Sequence, residues 1–405
     1  MYLKFNLPGI QSLPAPINKL FAQVKRVVVA IYIDPDFFPP TINAILNLAE
    51  HSEEVVVISR NNSLGNYPYP SNVRLKKTGK QVSVRDSEKQ PAWLKLLYFF
   101  QFTVSLLREA KHTNTSLVLL YDPFALFSFF MIRGIRRKRK VWYHNHDMPD
   151  KYMQRKYSLG YMASKYEAKA MKHIDFFSLP SKERLQYYKA VDAAIPVFVL
   201  PNYPSLKVYN QPVKNTTENS KIKIIYQGFI GKGHALEECI ELLQEKIQGY
   251  ELNLVLKGSV TPGYKLALNT LAEKYNVANK LIWKDIGPYY ELPALTASCD
   301  IGIGINMNND IVSQAQGTAS NKIYEYAASG LPVILYNSSQ FTQYLEKYDW
   351  AFFTDGSVKS LKENIEAIVK DVPSLRESAQ LNFRQSLNFE KYFMPVLNIV
   401  SRSIT

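Results

Sequence analysis

The apolar positions of the chain alternate between short continuous runs and longer segments with helical spacing. The runs are rich in Val, Ile and aromatic residues, which is typical of strands that are buried on both faces. Six of them lie in the first half of the chain: Arg26–Ile33, Glu54–Ser59, Ser116–Tyr121, Lys140–His144, Ile174–Leu179 and Val197–Leu200. The segments between them are long enough for crossover helices, so this half predicts a parallel sheet covered by helices on both faces.

The same pattern begins again after a polar stretch. Six further runs follow it: Lys223–Tyr226, Leu252–Leu256, Lys280–Trp283, Asp300–Ile305, Pro332–Tyr336 and Ala351–Phe353. We therefore predict an α/β protein with two doubly wound, Rossmann-like domains that face a cleft, with ligands at the carboxyl ends of the strands. The predicted segments are a first domain at 1–205, a linker at 206–221, a second domain at 222–385 and a closing helical segment at 386–405.

Composition narrows the classes of partner. The chain has 405 residues, of which 49 are basic and 35 are acidic, so its net charge is +14. That excess favours a negatively charged partner, such as nucleotide phosphates, an anionic membrane or nucleic acid. Its two cysteines, Cys239 and Cys299, form no CxxC pair, which argues against a disulfide framework or a structural zinc site.

The chain shows no signal for export or for membrane insertion. Residues 1–16 lack a basic segment followed by an apolar run, and no stretch of 18 apolar residues occurs. We expect a cytoplasmic protein that can rest on the inner face of the plasma membrane.

One segment, 299–335, combines several features of a phosphate site. A strand ends near Ile305, and a loop then leads to Ser320, which is a favourable residue for the start of a helix. The predicted helix, Asn321–Ser329, ends at Gly330. Backbone N–H groups at its first turn, together with the helix dipole, suit a diphosphate.

Three side chains share one face of this helix. Asn321 and Lys322 lie in the first turn, and Glu325 follows at spacings of four and three residues. Lysine supplies a positive charge for phosphate, and a carboxylate accepts hydrogen bonds from two ribose hydroxyls. The alternative is an ordinary surface helix in which Lys322 and Glu325 form a solvated pair worth roughly 0.5 kcal/mol or less.

The run Asn321–Ile334 resembles the nucleotide-sugar signature of retaining family-4 glycosyltransferases with the GT-B fold. The positions that match the signature include Lys322, Glu325, Tyr326 and the segment Gly330–Ile334. Four other segments resemble parts of that family in the same order: Leu179–Leu185, Leu200–Asn202, Ile224–Gly228 and Asn388–Glu390. The resemblance covers most of the chain, and it is strongest from about residue 222 to 336.

The resemblance implies roles for particular residues. Glu325 would bind the donor ribose, while Asn321, Lys322 and the backbone near Ser320 would bind the diphosphate. Gly228 would let its loop approach the phosphates. It also implies that the first domain binds the acceptor and that the last helix crosses back to that domain.

Two positions depart from the family pattern. Gly317 stands where many members have a second glutamate, eight residues before Glu325. Phe229 follows Gly228 where an arginine is common, and the family lysine has two candidate replacements in this loop, Lys232 and His234.

The first domain has one candidate site at a strand end, His144–Asp147. Histidines two residues apart beside an aspartate have the chemistry of metal ligands, but the cluster stands alone. The resemblance suggests a catalytic role for His146, either stabilising the transferred sugar or relaying a proton. The alternative is a structural histidine that caps the end of a strand. Asp34–Asp36 is interpreted as a turn.

A basic run, 133–140, follows the aromatic segment Phe124–Ile132, and a second aromatic segment lies at Trp93–Leu107. Basic residues beside aromatic ones suit an anionic membrane, whereas the alternative is a core helix with a solvated basic loop. No nucleic-acid motif accompanies the charge, so we do not expect nucleic-acid binding.

The sequence thus predicts an enzyme that moves a hexose from a nucleoside-diphosphate sugar to a hydroxyl of a glycan or a lipid-linked acceptor. The resemblance to the family implies that the anomeric configuration of the sugar is retained, and that the reaction belongs to polysaccharide or glycolipid synthesis. We expect no metal and no cofactor, since helix N-termini and lysine stabilise the departing diphosphate. Two alternatives remain open: a sugar-nucleotide 2-epimerase of the same fold, and a non-catalytic nucleotide-sugar-binding scaffold.

Overall fold

A computed structural model describes residues 24–62, 67–131, 139–146, 156–188, 194–210, 220–308 and 316–404. The chain forms two compact units. The first comprises the residues up to Pro201 together with Phe389–Thr405, and the second comprises Asn202–Asn388. The predicted basic run falls mostly outside the described residues, as do Asp147 and the middle of the predicted linker.

The first unit contains a parallel sheet of seven described strands in the order β3-β2-β1-β4-β5-β6-β7. Its strands are β1 (Val24–Ile31), β2 (Ser52–Arg60), β3 (Val73–Thr78), β4 (Thr115–Tyr121), β5 (Lys140–His144), β6 (Phe176–Leu179) and β7 (Val197–Val199). The strand order reverses between β1 and β4, which is where ligands bind in doubly wound sheets.

The helices of the first unit lie on both faces of this sheet. They are α1 (Pro39–Glu50), α2 (Val84–Lys89), α3 (Ala92–Ala110), α4 (Asp122–Phe130) and α5 (Leu159–Ala170). The last helix of the chain, which we call α13 (Phe389–Arg402), also belongs to this unit. Its buried side chains, among them Phe393 and Leu397, join the apolar layer that contains Val27 and Trp142.

The second unit repeats this architecture. Its main sheet has the parallel order β11-β10-β8-β12-β13-β14, and β9 pairs with β10 in antiparallel fashion. The strands are β8 (Lys221–Gln227), β9 (Lys246–Ile247), β10 (Tyr250–Lys257), β11 (Leu281–Lys284), β12 (Ile301–Gly304), β13 (Val333–Tyr336) and β14 (Ala351–Thr354). The strand order reverses between β8 and β12.

Helices of the second unit connect these strands. They are α6 (Leu236–Leu242), α7 (Pro262–Lys274), α8 (Leu292–Ala297), α9 (Asn321–Ala328), α10 (Ser339–Leu345), α11 (Val358–Val369) and α12 (Val372–Gln385). Two α/β units with parallel sheets confirm the predicted Rossmann-like fold class. Within the described residues, no helix is both long enough and apolar enough to cross a bilayer.

Candidate active site

The site in the second unit begins at the carboxyl end of β8. Gly228 follows this strand with a φ of +125°, and Gly258 follows the neighbouring strand β10 with a φ of +139°. A Cβ on Gly258 would lie 1.9 Å from the carbonyl oxygen of Gly228. The two loops therefore pack backbone against backbone, and only glycine allows this approach.

Helix α9 begins beside these loops. A short 3-10 turn, Gly317–Ala319, leads into it, and Ser320 occupies the N-cap position. Within the described structure the Ser320 side chain makes no capping hydrogen bond. The helix ends at Ser329 and Gly330, whose φ is +74°. The predicted helix is thus confirmed to within one residue, and its first-turn N–H groups lack a side-chain cap.

The turn before α9 is held by Asn202. Its backbone N–H donates to the carbonyl oxygen of Thr318 over 2.9 Å, and its side-chain amide donates to the carbonyl oxygen of Ala319 over 2.8 Å. The next residue, Tyr203, packs its ring 4.4 Å from that of Tyr324. Asn202 therefore fixes the backbone that leads into the start of α9.

Lys322 lies in the first turn of α9 and points toward β8. Its Nζ donates to the hydroxyl of Tyr226 over 2.8 Å, and a Cβ placed on Gly228 would lie 3.7 Å from that Nζ. Burial lowers the pKa of Lys322 to about 7, although the nearby Glu325 raises it. The amine is therefore poised to gain a proton when a negative charge arrives.

Glu325 is buried one turn further along the helix. Its carboxylate accepts a hydrogen bond of 2.6 Å from the side-chain amide of Gln227. The carbonyl of that amide accepts from the hydroxyl of Thr296 over 3.0 Å, which fixes its orientation. Burial raises the pKa of Glu325 to about 7, while hydrogen bonds from Gln227 and Tyr289 and the charge of Lys322 oppose this.

The two residues that could replace the family lysine occupy different environments. His234 is buried, with its ring 5.0 Å from that of Tyr226, and Nδ1 lies 2.7 Å from the carbonyl oxygen of Ile305. Because a carbonyl only accepts, Nδ1 carries the proton. Burial and the charge of Lys322 lower the pKa of His234 to about 4. His234 is thus neutral near pH 7, whereas Lys232 is exposed on the same loop.

Gly317 brings no carboxylate to this site. It lies in the 3-10 turn with a φ of +33°, and the hydroxyl of Tyr324 is 3.4 Å from its carbonyl oxygen. The described residues contain no group of three or more His, Cys, Asp or Glu side chains arranged to hold a metal ion.

In the first unit, His146 is enclosed rather than open. Its ring is stacked between Phe38, at 4.9 Å, and Tyr121, at 4.5 Å. Nε2 lies 3.0 Å from the hydroxyl of Thr41, and Nδ1 lies 3.3 Å from a carboxylate oxygen of Asp122. Both ring nitrogens are therefore occupied within this unit.

The backbone around His146 is also fixed. Its N–H donates to Asp122 over 2.8 Å, and the buried Arg184 donates to its carbonyl oxygen. Asp122 follows β4, at the reversal of strand order, with a φ of +63°. This conformation is uncommon for a residue other than glycine and is found at functional sites.

Sequence reasoning missed Gln227 and Asp122. Gln227 directly precedes Gly228. Its position as a polar residue at the end of an apolar strand could have indicated that it belongs to the site. Asp122 directly follows the predicted strand Ser116–Tyr121, so the sequence could predict its place at the carboxyl edge of the sheet. The sequence could not predict its backbone conformation. Lys322, Glu325, Gly228 and Ser320 lie together in the second unit, and His146 lies in the first.

Comparisons with known proteins bear on the family and the fold. Residues 209–385 match the sequence model of the family described as glycosyl transferases group 1. A comparison with curated proteins gives no significant match.

Solved structures share the fold over nearly the whole chain. Sucrose-phosphate synthase from Thermosynechococcus elongatus is 12% identical with a TM-score of 0.64, covering 94% of this chain and 99% of its own. HepE from Anabaena, in complex with UDP and glucose, is 14% identical with a TM-score of 0.64 and coverages of 93% and 100%. WaaG, a glycosyltransferase involved in lipopolysaccharide biosynthesis, is 14% identical with a TM-score of 0.61 and coverages of 92% and 99%.

These similarities define the class first: the chain has the two-domain GT-B fold of glycosyltransferases. Within that fold, residues 209–385 match the sequence model of the glycosyl transferases of group 1, which agrees with the signature over Asn321–Ile334. The family match and the shared fold together support a glycosyltransferase.

Proposed function

We propose that this enzyme transfers a hexose from a nucleoside-diphosphate sugar to a hydroxyl of a glycan or a lipid-linked acceptor, with retention at the anomeric carbon. The observation that carries the proposal is the start of α9. There, an N-terminus without a side-chain cap, Lys322 and the glycine loop at Gly228 converge at the carboxyl end of β8. Helix N-termini and a lysine are the groups that stabilise a departing diphosphate.

Each donor-site residue has a distinct part in this proposal. Asn321, Lys322 and the backbone near Ser320 bind the diphosphate, and Gly228 lets the strand-end loop approach it. Glu325 binds the ribose hydroxyls. A carboxylate has about four acceptor positions, so the hydrogen bond from Gln227 leaves room for a ribose. Lys232, exposed on the same loop, adds positive charge.

The proposal requires no metal and no cofactor. The leaving diphosphate would be neutralised by Lys322 and by the dipole of α9, which replaces the charge that a divalent cation would otherwise supply. HepE, in its solved complexes, holds UDP, UDP with glucose, and UDP-glucose. That fold relative supports a sugar nucleotide as the donor here.

We assign His146 a positioning role in this reaction rather than direct contact with substrate. Its ring nitrogens are occupied by Thr41 and Asp122, and its backbone holds Asp122 at the reversal of strand order. Asp122 is partly exposed there, with 22% of its side chain accessible. His146 would thus act on the acceptor side through Asp122.

Donor turnover tests the proposal. The full chain is incubated with UDP-glucose, GDP-mannose and ADP-glucose in the presence of EDTA, and proton NMR follows the anomeric signals of the released sugar. Slow hydrolysis of one donor, with the first-formed anomer matching the donor, is the expected result. The inverted anomer would exclude retention, and conversion of the donor to its 2-epimer without sugar release would favour the epimerase.

A further inference from the structure

Helix α3 has two apolar faces. Tyr98, Phe99, Phe102 and Leu106 are buried against the sheet. On the opposite side the exposed fractions are 66% for Trp93, 52% for Leu96, 42% for Leu97, 64% for Phe100 and 38% for Val104. These five residues, which we call the α3 patch, are related by spacings of three and four, with Leu96 and Leu97 adjacent. They form a single stripe about 16 Å long.

Rings from the buried face of α3 link this helix to its neighbours. The ring of Phe99 stacks on Phe127 of α4 at 5.9 Å, and Phe127 stacks on Tyr166 of α5 at 5.4 Å. Tyr166 is 47% exposed, and the ammonium group of Lys169 lies 5.6 Å from the centre of its ring. Helices α3, α4 and α5 thus form one continuous layer.

The exposed charged side chains of these three helices and of the described residues just after them are basic. Lys165, Lys169 and Lys172 are exposed on and just after α5, and Arg108 and Lys111 are exposed at the end of α3. Of the three acidic residues of these helices, Glu109 and Glu167 are buried and Asp122 is partly buried. Glu109 is buried and pairs with Arg26, Glu167 accepts from Tyr143 over 2.5 Å, and Asp122 accepts from His146.

An exposed apolar stripe of this size marks an interaction surface. Protein interfaces are depleted in lysine, whereas Trp, Phe and Leu on one side with lysines beside them are typical of helices that lie in a membrane interface. We propose that the α3 patch, with the lysines of α5, docks this unit on a bilayer that contains anionic phospholipids.

The buried face of α3, opposite the patch, lies beside the ligand edge of its sheet. Tyr32, which directly follows β1, packs its ring 5.3 Å from Phe99 and 5.0 Å from Phe102. Arg60, at the end of β2, lies 4.3 Å from the ring centre of Tyr98. A bilayer on the exposed face of α3 would therefore lie about one helix diameter, roughly 10 Å, from that edge. The significance of this distance rests on the proposed lipid-linked acceptor, but the docking itself does not.

Vesicle sedimentation tests the docking. The full chain is mixed with vesicles of phosphatidylcholine alone or of equal parts phosphatidylcholine and phosphatidylglycerol. We expect binding to the anionic vesicles to be at least about tenfold stronger, and to weaken at high salt. The double variant Trp93→Ser, Phe100→Ser should lose at least about tenfold in affinity. The matched control is Leu266→Ser, which removes an equally exposed apolar residue, 68% accessible, from α7.

Fluorescence gives a test that does not depend on a disruptive variant. Of the four tryptophans, Trp93 is exposed, Trp283 lies partly buried in the second unit, and Trp142 and Trp350 are fully buried. Brominated phospholipids should therefore quench the emission of the wild type, and should quench Trp93→Phe much less although that variant still binds vesicles.

Three results would overturn the proposal. They are no preference for anionic vesicles, equal binding by the wild type and the Trp93, Phe100 double variant, or equal quenching of the wild type and Trp93→Phe. Conversion of a dimer to a monomer by the double variant, with vesicle binding unchanged, would instead show that a second copy covers the patch. Nucleotide turnover without vesicles measures the proposed function separately.

Discussion

Lys322 and Glu325 are one turn apart on α9, and burial displaces their pKa values in opposite directions. Burial lowers the pKa of Lys322 to about 7 and raises that of Glu325 to about 7. The charge of each residue favours the charged form of the other. A diphosphate would change this balance, because its negative charge favours the protonated lysine.

The first prediction concerns proton uptake on donor binding. When a sugar nucleotide binds at pH 8, the pKa of Lys322 rises from about 7 and the enzyme takes up part of a proton. Affinity therefore falls as the pH rises above about 7. The diphosphate of a sugar nucleotide does not titrate in this range, and His234, with a pKa of about 4, stays neutral. Calorimetry in buffers of different ionisation enthalpy measures the uptake.

Two variants separate Lys322 from the other group that titrates nearby. Lys322→Ala should bind about 10 to 100 times more weakly, in line with the loss of a charged hydrogen bond, and take up no proton. Glu325→Gln should retain the uptake, although it weakens binding. Uptake that persists in Lys322→Ala would contradict this assignment.

His146 gives the second prediction. Its ring fills the space between Phe38 and Tyr121 and satisfies Thr41 and Asp122. His146→Ala should therefore lower the free energy of unfolding by about 3 kcal/mol, measured by urea denaturation, because it leaves a cavity and unpaired polar groups. A residue that only contacts substrate would leave stability nearly unchanged while turnover falls. That outcome would restore the catalytic role.

At the scale of elements, the donor site depends on two strand-end loops that touch. Gly258 lies against the backbone of Gly228, and Gly228 lies against Lys322. Both the close approach to the backbone of Gly228 and the positive φ require glycine at position 258. A change at 258 should therefore reach the diphosphate site although no atom of Gly258 would contact the nucleotide.

Gly258→Ala is the third prediction. Its Cβ would overlap a carbonyl oxygen at 1.9 Å, and its φ of +139° disfavours any side chain. We expect a loss of about 2 to 4 kcal/mol in unfolding free energy and a strong loss of nucleotide affinity. The control is Gly249→Ala, which has a φ of +90° but nothing within 4 Å of its Cβ. That variant should lose about 1 kcal/mol and keep its affinity. Equal effects in both variants would refute the contact argument.

Sequence pattern located nearly all the described strands, because parallel strands buried on both faces form continuous apolar runs. It missed β3, whose residues Val73–Thr78 include three basic side chains and whose place at the sheet edge leaves them partly exposed. Ser320 and Gly330 bounded α9 correctly, since caps act locally. The links from Gln227 to Glu325 and from Asn202 to Ala319 span about 100 residues, so local pattern could not predict them.

At the scale of the whole molecule, the chain returns to its first unit at the end. Helix α13 belongs to that unit, and Phe393 stacks on Trp142 at 5.5 Å and on Phe389 at 4.8 Å. The stability of the first unit therefore depends on the last residues of the chain. The second unit has its own separate apolar core.

Phe393→Ala is the fourth prediction. Removing this fully buried ring should cost the first unit about 3 to 5 kcal/mol. Hydrogen exchange followed by mass spectrometry should show faster exchange in β1, β4 and β5, and unchanged exchange in β8 and β10. Leu381→Ala, at a residue that is 50% exposed on α12, is the control and should change neither unit. Faster exchange in β8 would contradict the division into two cores.

The central claim is that the start of α9 binds the nucleotide of the donor without a metal. This binding is tested by calorimetric titration of the wild type and of Glu325→Ala with UDP, GDP and ADP in the presence of EDTA. We expect one of these nucleotides to bind the wild type, and the variant to lose at least about tenfold in affinity through the missing ribose contacts. If the folded wild type binds none of the three, or if Glu325→Ala binds equally well, the donor site lies elsewhere.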